Sequence, residues 1–250
     1  MKRIKLVVAY DGTDYCGWQI QPGVPTIEGV LNETLSRILK EEIRVTGASR
    51  TDAGVHAYGN VAVFDTETPI PPEKISFAVN PHLPEDVRIV RSEQAADDFH
   101  PRYCDTKKTY EYHIQTGPML YPTKGKYCHW LPKTLDVEAM RQAGRYLVGA
   151  HNFKSFCAAN AQVKTTVRKV CAIEVEQETI MPGIREVIIR VEGEGFLYNM
   201  VRIISGTLIR VGLHVWQPEY VKTILEAKDR TQAGETVPAK GLFLKEIVYL

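Results

Sequence analysis

The stretch IKLVVAYDGTDYCGWQIQPGVPTIEGVLNETLSRILK, residues 4–40, carries two different periodicities of apolar side chains. Residues 4–10 alternate from one side chain to the next, and apolar side chains also occupy the second face, a pattern that predicts a central β-strand. The apolar residues after Thr26 follow the spacing i, i+3, i+4 and i+7 of a helix, and threonine is a residue type that caps helix N-termini. The chain is therefore predicted to begin with a strand followed by a helix.

The elements predicted after this stretch give one order that is then loosely repeated. A short strand near 43–46, a strand over 58–65, a helix between Pro71 and Asn80, and a strand over 87–92 complete the order strand, helix, strand, strand, helix, strand. In the second half, strands are predicted over residues 109–116, 167–178, 185–192 and 243–249, and helices over residues 135–148, 198–211 and 219–227.

This order of elements is the ferredoxin-like arrangement, which recurs among RNA-binding folds. We expect an α+β protein with two ferredoxin-like, or RRM-like, halves that cover residues 1–100 and 101–250. The sheet is expected to be mainly antiparallel, and a central cleft between the halves is the expected place for an active site.

The composition is that of a globular protein with a sizeable core: 250 residues, of which 44% are hydrophobic and 24% are charged. No apolar run approaches the roughly 20 residues that cross a bilayer, and the basic N-terminal stretch lacks the features of a signal peptide. The five cysteines are scattered and the histidines lack ligand spacing, so neither a disulfide framework nor a metal site is predicted. We therefore expect a cytoplasmic protein that binds neither a membrane nor a metal.

The net charge of +1 argues against a uniformly basic surface for nucleic acid, because Lys and Arg contacts to phosphates supply most non-specific affinity. Any RNA-binding surface must therefore be local. The candidate basic clusters are Arg102 with Lys107 and Lys108, Lys124 with Lys126, and Lys164 with Arg168 and Lys169. From composition alone, an ordinary solvated surface of mixed charges is the simpler explanation of these clusters.

A loop rich in small residues, GASRTDAGVH over residues 47–56, brings Arg50, Asp52 and His56 close together in the sequence. Polar groups concentrated on a tight loop are typical of functional sites. A turn closed by the Asp52 side chain, with Arg50 simply exposed, explains the same residues without any chemistry. The loop alone leaves both interpretations open.

The sequence ASRTDAGVHAYGNVAVFDT, residues 48–66, closely resembles the segment that carries the catalytic aspartate in tRNA pseudouridine synthases of the TruA family. Further blocks resemble that family in the same order: YDGTDYCGWQ (10–19), DDFHPRYCDTKKTYEYHI (97–114), AHNFKSF (150–156), FLYNMVRIISGTL (196–208) and AKDRTQAGETVPAKGLFL (227–244). An ordered set of blocks is far more specific than a single motif. Two departures are Pro101, where the family often has Ala, and Ser49, where it often has Gly.

The resemblance implies a role for several residues. Asp52 would be the nucleophilic carboxylate, Arg50 its charge partner, and Tyr110 the aromatic that packs on the target uracil. Arg202, in the first turn of its helix, would be a further basic group that lines the site. Contacts to the RNA substrate are also expected from His100, Arg102, Lys107 and Lys108.

Structural explanations compete for two of these residues. Tyr110 alternates with apolar neighbours on one face of its predicted strand, which is the pattern of a core residue. Arg202 is a cation at the positive end of a helix dipole and therefore needs an anionic partner. A phosphate, Asp52, or a salt bridge to Glu192 or Glu194 would each supply that anion.

The resemblance further implies an isomerase, an intramolecular transferase that converts uridine to pseudouridine at positions 38, 39 and 40 of the tRNA anticodon stem-loop. The reaction breaks the N1 glycosidic bond, turns the base and joins C5 to the same sugar carbon, so it consumes no reagent and no cofactor is expected. The Asp52 carboxylate can add to C6 of the uracil or act at the anomeric carbon, and both routes are nucleophilic catalysis. Tyr110 or a water molecule can then remove the C5 proton.

Family resemblance also implies a homodimer that holds one tRNA across both subunits. The main alternative is a non-catalytic RNA-binding protein with duplicated ferredoxin-like halves. Such a protein gains nothing from a carboxylate beside the phosphates of its ligand, so Asp52 and Arg50 are the residues that distinguish the two possibilities.

Overall fold

The computed structural model describes residues 1–158 and 163–250 and divides the chain into two compact units. The first unit comprises Met1–Thr106 together with Phe243–Leu250, and the second comprises Lys107–Leu242. This division differs from the expected boundary at residues 100 and 101, because the connector and the C-terminal strand belong with the N-terminal part of the chain.

The described residues form ten β-strands and five α-helices, joined by loops and short 3-10 turns. The N-terminal elements are β1 (Lys2–Tyr10), α1 (Ile27–Leu39), β2 (Thr46–Gly47), β3 (His56–Thr66), α2 (Ile75–Val79) and β4 (Val87–Gln94). The later elements are β5 (Thr106–Thr116), β6 (His129–Leu131), α3 (Val137–Arg145), β7 (Gly149–Asn152), β8 (Val167–Met181), β9 (Ile184–Gly193), α4 (Met200–Gly212), α5 (Tyr220–Ala227) and β10 (Leu242–Tyr249).

The sheet of the first unit has the ferredoxin-like strand order β4, β1, β3, β2, and each neighbouring pair is antiparallel. Strand β10 joins this sheet beside β3 in parallel orientation, with Phe243 opposite His56 and Leu244 opposite Ala57. The expected mainly antiparallel α+β fold is confirmed here.

The first strand and helix form where the apolar periodicities predict them. Ile4, Leu6 and Val8 are fully buried, because alternate side chains of β1 all lie on the core face of the sheet. The Thr26 side chain accepts a hydrogen bond from the Gly29 N–H at 3.3 Å, which satisfies one of the amides that a helix N-terminus leaves without an intrahelical partner.

The strand predicted near 43–46 is reduced to the two residues of β2. The Ile43 N–H donates to Ser36 Oγ at 2.9 Å, and the Val45 N–H donates to Asn32 Oδ1 at 2.8 Å. Both acceptors are side chains of α1. These amides therefore already have partners, and the backbone there does not extend the ladder with β3.

The sheet of the second unit has the order β5, β9, β8, β7, again with antiparallel neighbours, and β6 pairs with β5 in parallel. Strands β6 and β7, of three and four residues, were not predicted because they are too short to show an alternation. The predicted helix over 135–148 is shorter in the structure, where α3 begins after its N-cap Asp136.

A charged cluster lies across β5 and β9 in the second unit. His113 Nδ1 lies 3.1 Å from Glu186 Oε1, and Lys124 Nζ lies 2.9 Å from Glu186 Oε2. Burial lowers the pKa of His113, but hydrogen bonds to Glu111 and Glu186 raise it by more, so the net pKa is raised. The hydrogen bond from His113, with a second from Lys124, lowers the pKa of Glu186 to about 2 despite burial.

Replacement of Glu186 by glutamine is expected to destabilise the protein most between the ordinary pKa of Glu, 4.5, and that of His, 6.5. The lowered pKa of Glu186 stabilises the fold above pH 4.5, and this contribution is lost as the pH falls toward about 2. The raised pKa of His113 stabilises the fold below pH 6.5, and this contribution is lost as the pH rises through the folded value.

Urea unfolding at about pH 6 should therefore show a loss of about 1–3 kcal/mol in Glu186→Gln, with a smaller loss at about pH 9. Glu33→Gln, at an exposed position of α1 in the first unit, is the control and should change little at either pH. Equal losses in Glu186→Gln at the two pH values would contradict the assigned coupling.

Candidate active site

Asp52 lies on the loop between β2 and β3, and the segment that follows β1 holds this loop through the backbone. The Trp18 N–H donates to the Thr51 carbonyl oxygen at 3.0 Å, and the Gly54 N–H donates to the Tyr15 carbonyl oxygen at 3.2 Å. Hydrogen bonds therefore fix the chain both immediately before and shortly after Asp52.

Buried polar side chains hold the loop from a second side. Asn60 of β3, which is fully buried, accepts from the Ser49 N–H at 3.3 Å and donates to the Ser49 carbonyl oxygen at 2.9 Å. The Tyr10 hydroxyl is hydrogen-bonded to Thr51 Oγ1 at 2.7 Å and accepts from Asn60 Nδ2 at 3.3 Å. Ser49 and Thr51 are buried, whereas Asp52 is partly exposed. The carboxylate is thus accessible on a backbone that has little freedom to move.

Two glycines allow the loop and the N-terminal segment to approach each other. A Cβ at Gly17, whose φ is +88°, would lie 2.5 Å from the Thr51 carbonyl oxygen. A Cβ at Gly12 would collide with the Val55 carbonyl oxygen, and the Gly12 N–H donates to His56 Nδ1 at 3.0 Å. The positive φ and the close approach both require glycine.

The expected ion pair between Arg50 and Asp52 stays a prediction. Arg50 is exposed, and an exposed pair of this kind would contribute only about 0–1 kcal/mol. Arg50 also lies close enough to Arg102 for its charge to lower the pKa of that side chain. The implied role of Arg50 in the reaction stays a prediction.

Arg102 and His100 lie beside the same loop. Arg102 Nε donates to the Gly47 carbonyl oxygen at 2.7 Å, and the Arg102 N–H donates to His100 Nδ1 at 3.2 Å. Burial lowers the pKa of Arg102, and the neighbouring charge of Arg50 lowers it further. Two neighbouring guanidinium groups form a natural site for a phosphate. The first unit therefore brings Arg50, His100 and Arg102 together.

Tyr110 lies in the second unit, on β5. It is 7% exposed, and its ring meets Phe196 edge-on, with the ring centroids 5.2 Å apart and the planes at 85°. Such burial fits the core residue that the strand alternation indicated. Its implied function as a stacking residue for uracil stays a prediction.

Arg202 lies in the first turn of α4, as predicted. Arg202 Nε donates to the Val237 carbonyl oxygen at 2.8 Å, and Nη1 donates to Asn199 Oδ1 at 2.7 Å. Glu192 pairs with Lys107 at 3.4 Å and Glu194 pairs with Lys169 at 2.6 Å, so these carboxylates have other partners. Both carboxylates considered as partners of Arg202 are therefore already paired with a lysine.

Lys107 and Lys108, the remaining basic residues expected to contact RNA, are both on β5 and partly buried. Lys107 lies in the pair with Glu192, and a contact to RNA phosphate would compete with that carboxylate. Lys108 lies opposite Gly193 of β9. Their binding to RNA stays a prediction.

Within residues 1–158 and 163–250, no three or more His, Cys, Asp or Glu side chains are grouped so that they could hold a metal ion. Over the same residues, no helix has the length and apolar character needed to cross a membrane.

A family model described as tRNA pseudouridine synthase matches residues 6–104 and 143–249. The chain belongs to this family. The family resemblance of the sequence blocks is therefore confirmed. Residues 48–66 include the loop that carries Asp52, and residues 10–19 include the segment that is hydrogen-bonded to it. Both ranges lie within the matched part of the first unit.

Individual relatives agree over the full length. The chain is 45% identical over 252 residues to "tRNA pseudouridine synthase A" of Ruminiclostridium cellulolyticum, and 45% identical over 249 residues to the protein of that name in Brevibacillus brevis. In both cases the match covers 100% of each chain. The crystal structure of the archaeal box H/ACA sRNP Nop10-Cbf5 complex is similar at 13% identity over 96% of this chain and 46% of that chain, with a TM-score of 0.34, too low to support an inference about this chain.

Several residues that hold the site were not predicted from the sequence. Asn60 and Tyr10 fix the loop, although each looks like an ordinary strand residue in the sequence. Asn60 falls in the block 48–66 and Tyr10 in the block 10–19. Both residues therefore lie in blocks that resemble the family, but the resemblance did not show which atoms their side chains contact.

Substitution of Gly17 by alanine is expected to destabilise the protein more than the same change at Gly23. Both glycines have positive φ, +88° and +77°, but a Cβ at Gly23 would meet nothing within 4 Å. Gly23→Ala should therefore cost only the backbone strain, about 1–2 kcal/mol. Gly17→Ala adds a steric clash with the Thr51 carbonyl oxygen and should cost about 1–3 kcal/mol more. Urea unfolding measures both values, and equal losses would show that the close approach contributes nothing.

Proposed function

We propose that this chain isomerises uridine to pseudouridine at positions 38, 39 and 40 of the tRNA anticodon stem-loop, with the Asp52 carboxylate as the nucleophile. The observation that carries this proposal is a partly exposed carboxylate directly after Thr51, which is buried and hydrogen-bonded to Trp18 and Tyr10. Membership of the tRNA pseudouridine synthase family supplies the substrate class.

A fixed loop suits the chemistry of a carboxylate nucleophile. Addition of Asp52 to C6 of the uracil, or action at the anomeric carbon as the base departs, both require one oxygen at a defined position. Hydrogen bonds to Thr51, Ser49 and Gly54 hold the loop backbone before substrate arrives. Little positional entropy then remains to be lost in the reaction.

The target base must first leave its stack, which costs a few kcal/mol. We propose that Tyr110 packs on the extruded uracil and recovers about 1–3 kcal/mol. The edge contact with Phe196 already orients the ring, so stacking costs it little rotamer freedom. Tyr110 or a water molecule then accepts the C5 proton.

Phosphate binding in this proposal depends on local basic groups, because the net charge is only +1. Arg50 and Arg102 form such a group in the first unit. Contacts to the backbone of the tRNA are proposed in addition for His100, Arg202, Lys107 and Lys108. Function in the cytoplasm and as a homodimer that shares one tRNA between subunits completes the proposal.

Unmodified tRNA transcript that carries tritium at uridine C5 tests the reaction, because only chemistry at C5 releases the label. We expect the wild type to release tritium without added metal or nucleotide. Asp52→Asn should release it at least about a thousandfold more slowly, since the amide is no nucleophile, while its affinity for tRNA stays within a few-fold.

Asp14→Asn is the matched control, because Asp14 is an exposed acid on the segment, residues 10–19, that is hydrogen-bonded to the Asp52 loop. This variant should retain wild-type release. Tight tRNA binding by the wild type without any release would favour the non-catalytic RNA-binding alternative. Release by Asp52→Asn at the wild-type rate would exclude Asp52 as the nucleophile.

A further inference from the structure

Two stacked aromatic rings lie on the connector after β4, one partly buried and one exposed. The rings of His100 and Tyr103 are 4.0 Å apart with their planes at 15°. Tyr103 is 84% exposed, whereas the next most exposed tyrosine in the described residues, Tyr58, is 53% exposed. A large ring left in water on one side and stacked on the other leaves an open aromatic face.

The turn that carries this pair is held by contacts to β1 and β10 of the first unit. Phe99 packs edge-on against Tyr249, with the ring centroids 4.9 Å apart, and its carbonyl oxygen accepts from Arg3 Nη1 at 3.2 Å. The Tyr249 hydroxyl donates to the Pro101 carbonyl oxygen at 3.2 Å. The backbone on the N-terminal side of the stacked rings is therefore held by Arg3 and Tyr249, which lie near opposite ends of the sequence.

The same turn is anchored to the loop that carries Asp52. Arg102 Nε donates to the Gly47 carbonyl oxygen at 2.7 Å, where that loop begins. Within the turn, the Arg102 N–H donates to His100 Nδ1 at 3.2 Å and the Tyr103 N–H donates to the His100 carbonyl oxygen at 3.2 Å. These bonds set the orientation of the His100 ring on which Tyr103 stacks.

Two cations lie on the turn and on the loop to which it is hydrogen-bonded. Arg102 lies between His100 and Tyr103 in the sequence and is hydrogen-bonded to the Gly47 carbonyl oxygen, and Arg50 lies three residues after Gly47 on the same loop. Aromatic rings beside guanidinium groups are how proteins bind unpaired nucleotides, since every base has a face that can stack and every nucleotide carries a phosphate.

We propose that Tyr103, supported by His100, is a stacking platform for an unpaired nucleobase of the anticodon loop, and that Arg102 and Arg50 contact the adjoining phosphates. This inference rests on the proposed function for its substrate. It assigns to Tyr103 a positioning role on a base other than the uridine that reacts.

The alternative is that the ring pair is only a local contact that stabilises the turn. Tyr103→Ala removes the ring, whereas Tyr103→Phe keeps the stacking surface and removes the hydroxyl. Phe77→Ala is a matched control, because Phe77 is 72% exposed, lies in the same unit and contacts the Lys74 ammonium rather than a second ring.

Tyr103→Ala should weaken tRNA affinity and raise KM by about 5- to 150-fold, the range expected for the loss of one stacked base. Its kcat at saturating tRNA should stay within about threefold, since the platform does not touch the reacting atoms. Tyr103→Phe and Phe77→Ala should bind and react as the wild type does. Thermal unfolding checks that each variant is folded.

A direct readout of stacking uses tRNA in which each unpaired purine of the anticodon loop is replaced in turn by 2-aminopurine. Wild type and Tyr103→Phe should quench the fluorescence at one of these positions, and Tyr103→Ala should not. Unchanged binding, KM and quenching in Tyr103→Ala would overturn the proposal. Weaker binding with the same quenching would also overturn it, because it would assign the ring to turn stability.

The two proposals fail separately in this experiment. Wild-type protein that releases no tritium from C5 contradicts the proposed function, yet quenching that depends on the Tyr103 ring would still support the platform as an RNA contact. Tritium release by the wild type together with ring-independent quenching contradicts the platform and leaves the isomerase in place.

Discussion

Thr51 is held from two directions at once, and the position of Asp52 depends on it. Its carbonyl oxygen accepts from the Trp18 N–H, and its hydroxyl is hydrogen-bonded to the Tyr10 hydroxyl. Strand β1 delivers Tyr10, the loop after it delivers Trp18, and β3 supplies Asn60 from the other side. The ferredoxin-like strand order places β1 next to β3, so the fold itself brings these groups together.

The modest net charge is compatible with an RNA substrate because the basic groups are locally concentrated. The charge of Arg50 is close enough to lower the pKa of Arg102, and both residues are exposed. Several other basic residues, such as Lys107 and Lys169, are occupied by neighbouring carboxylates. Composition alone therefore underestimates how well one small region can bind phosphate, since salt bridges elsewhere cancel charge without affecting that region.

Local patterns predicted the elements well, and long-range contacts were beyond their reach. The alternation in β1 and the Thr26 cap both hold in the structure, because each depends on neighbouring residues. The strand near 43–46 was largely wrong, since side chains of α1 take its amides. The resemblance to the family identified the loop that carries Asp52. The hydrogen bond between Tyr10 and Thr51 was not predicted, because it joins residues far apart in the sequence and leaves no periodic pattern.

The most direct test of this account is the single-turnover rate of tritium release from saturating tRNA by Tyr10→Phe, with Tyr15→Phe as control. Tyr15 lies on the same segment, but its hydroxyl donates to Asp86 Oδ1 at 2.6 Å rather than to the loop. Tyr10→Phe loses the buried hydrogen bond to Thr51, which contributes about 1–1.5 kcal/mol. The rate of tritium release should therefore fall about tenfold, with tRNA affinity unchanged. If Tyr10→Phe releases tritium no more slowly than Tyr15→Phe, the hydrogen bond between Tyr10 and Thr51 does not position Asp52.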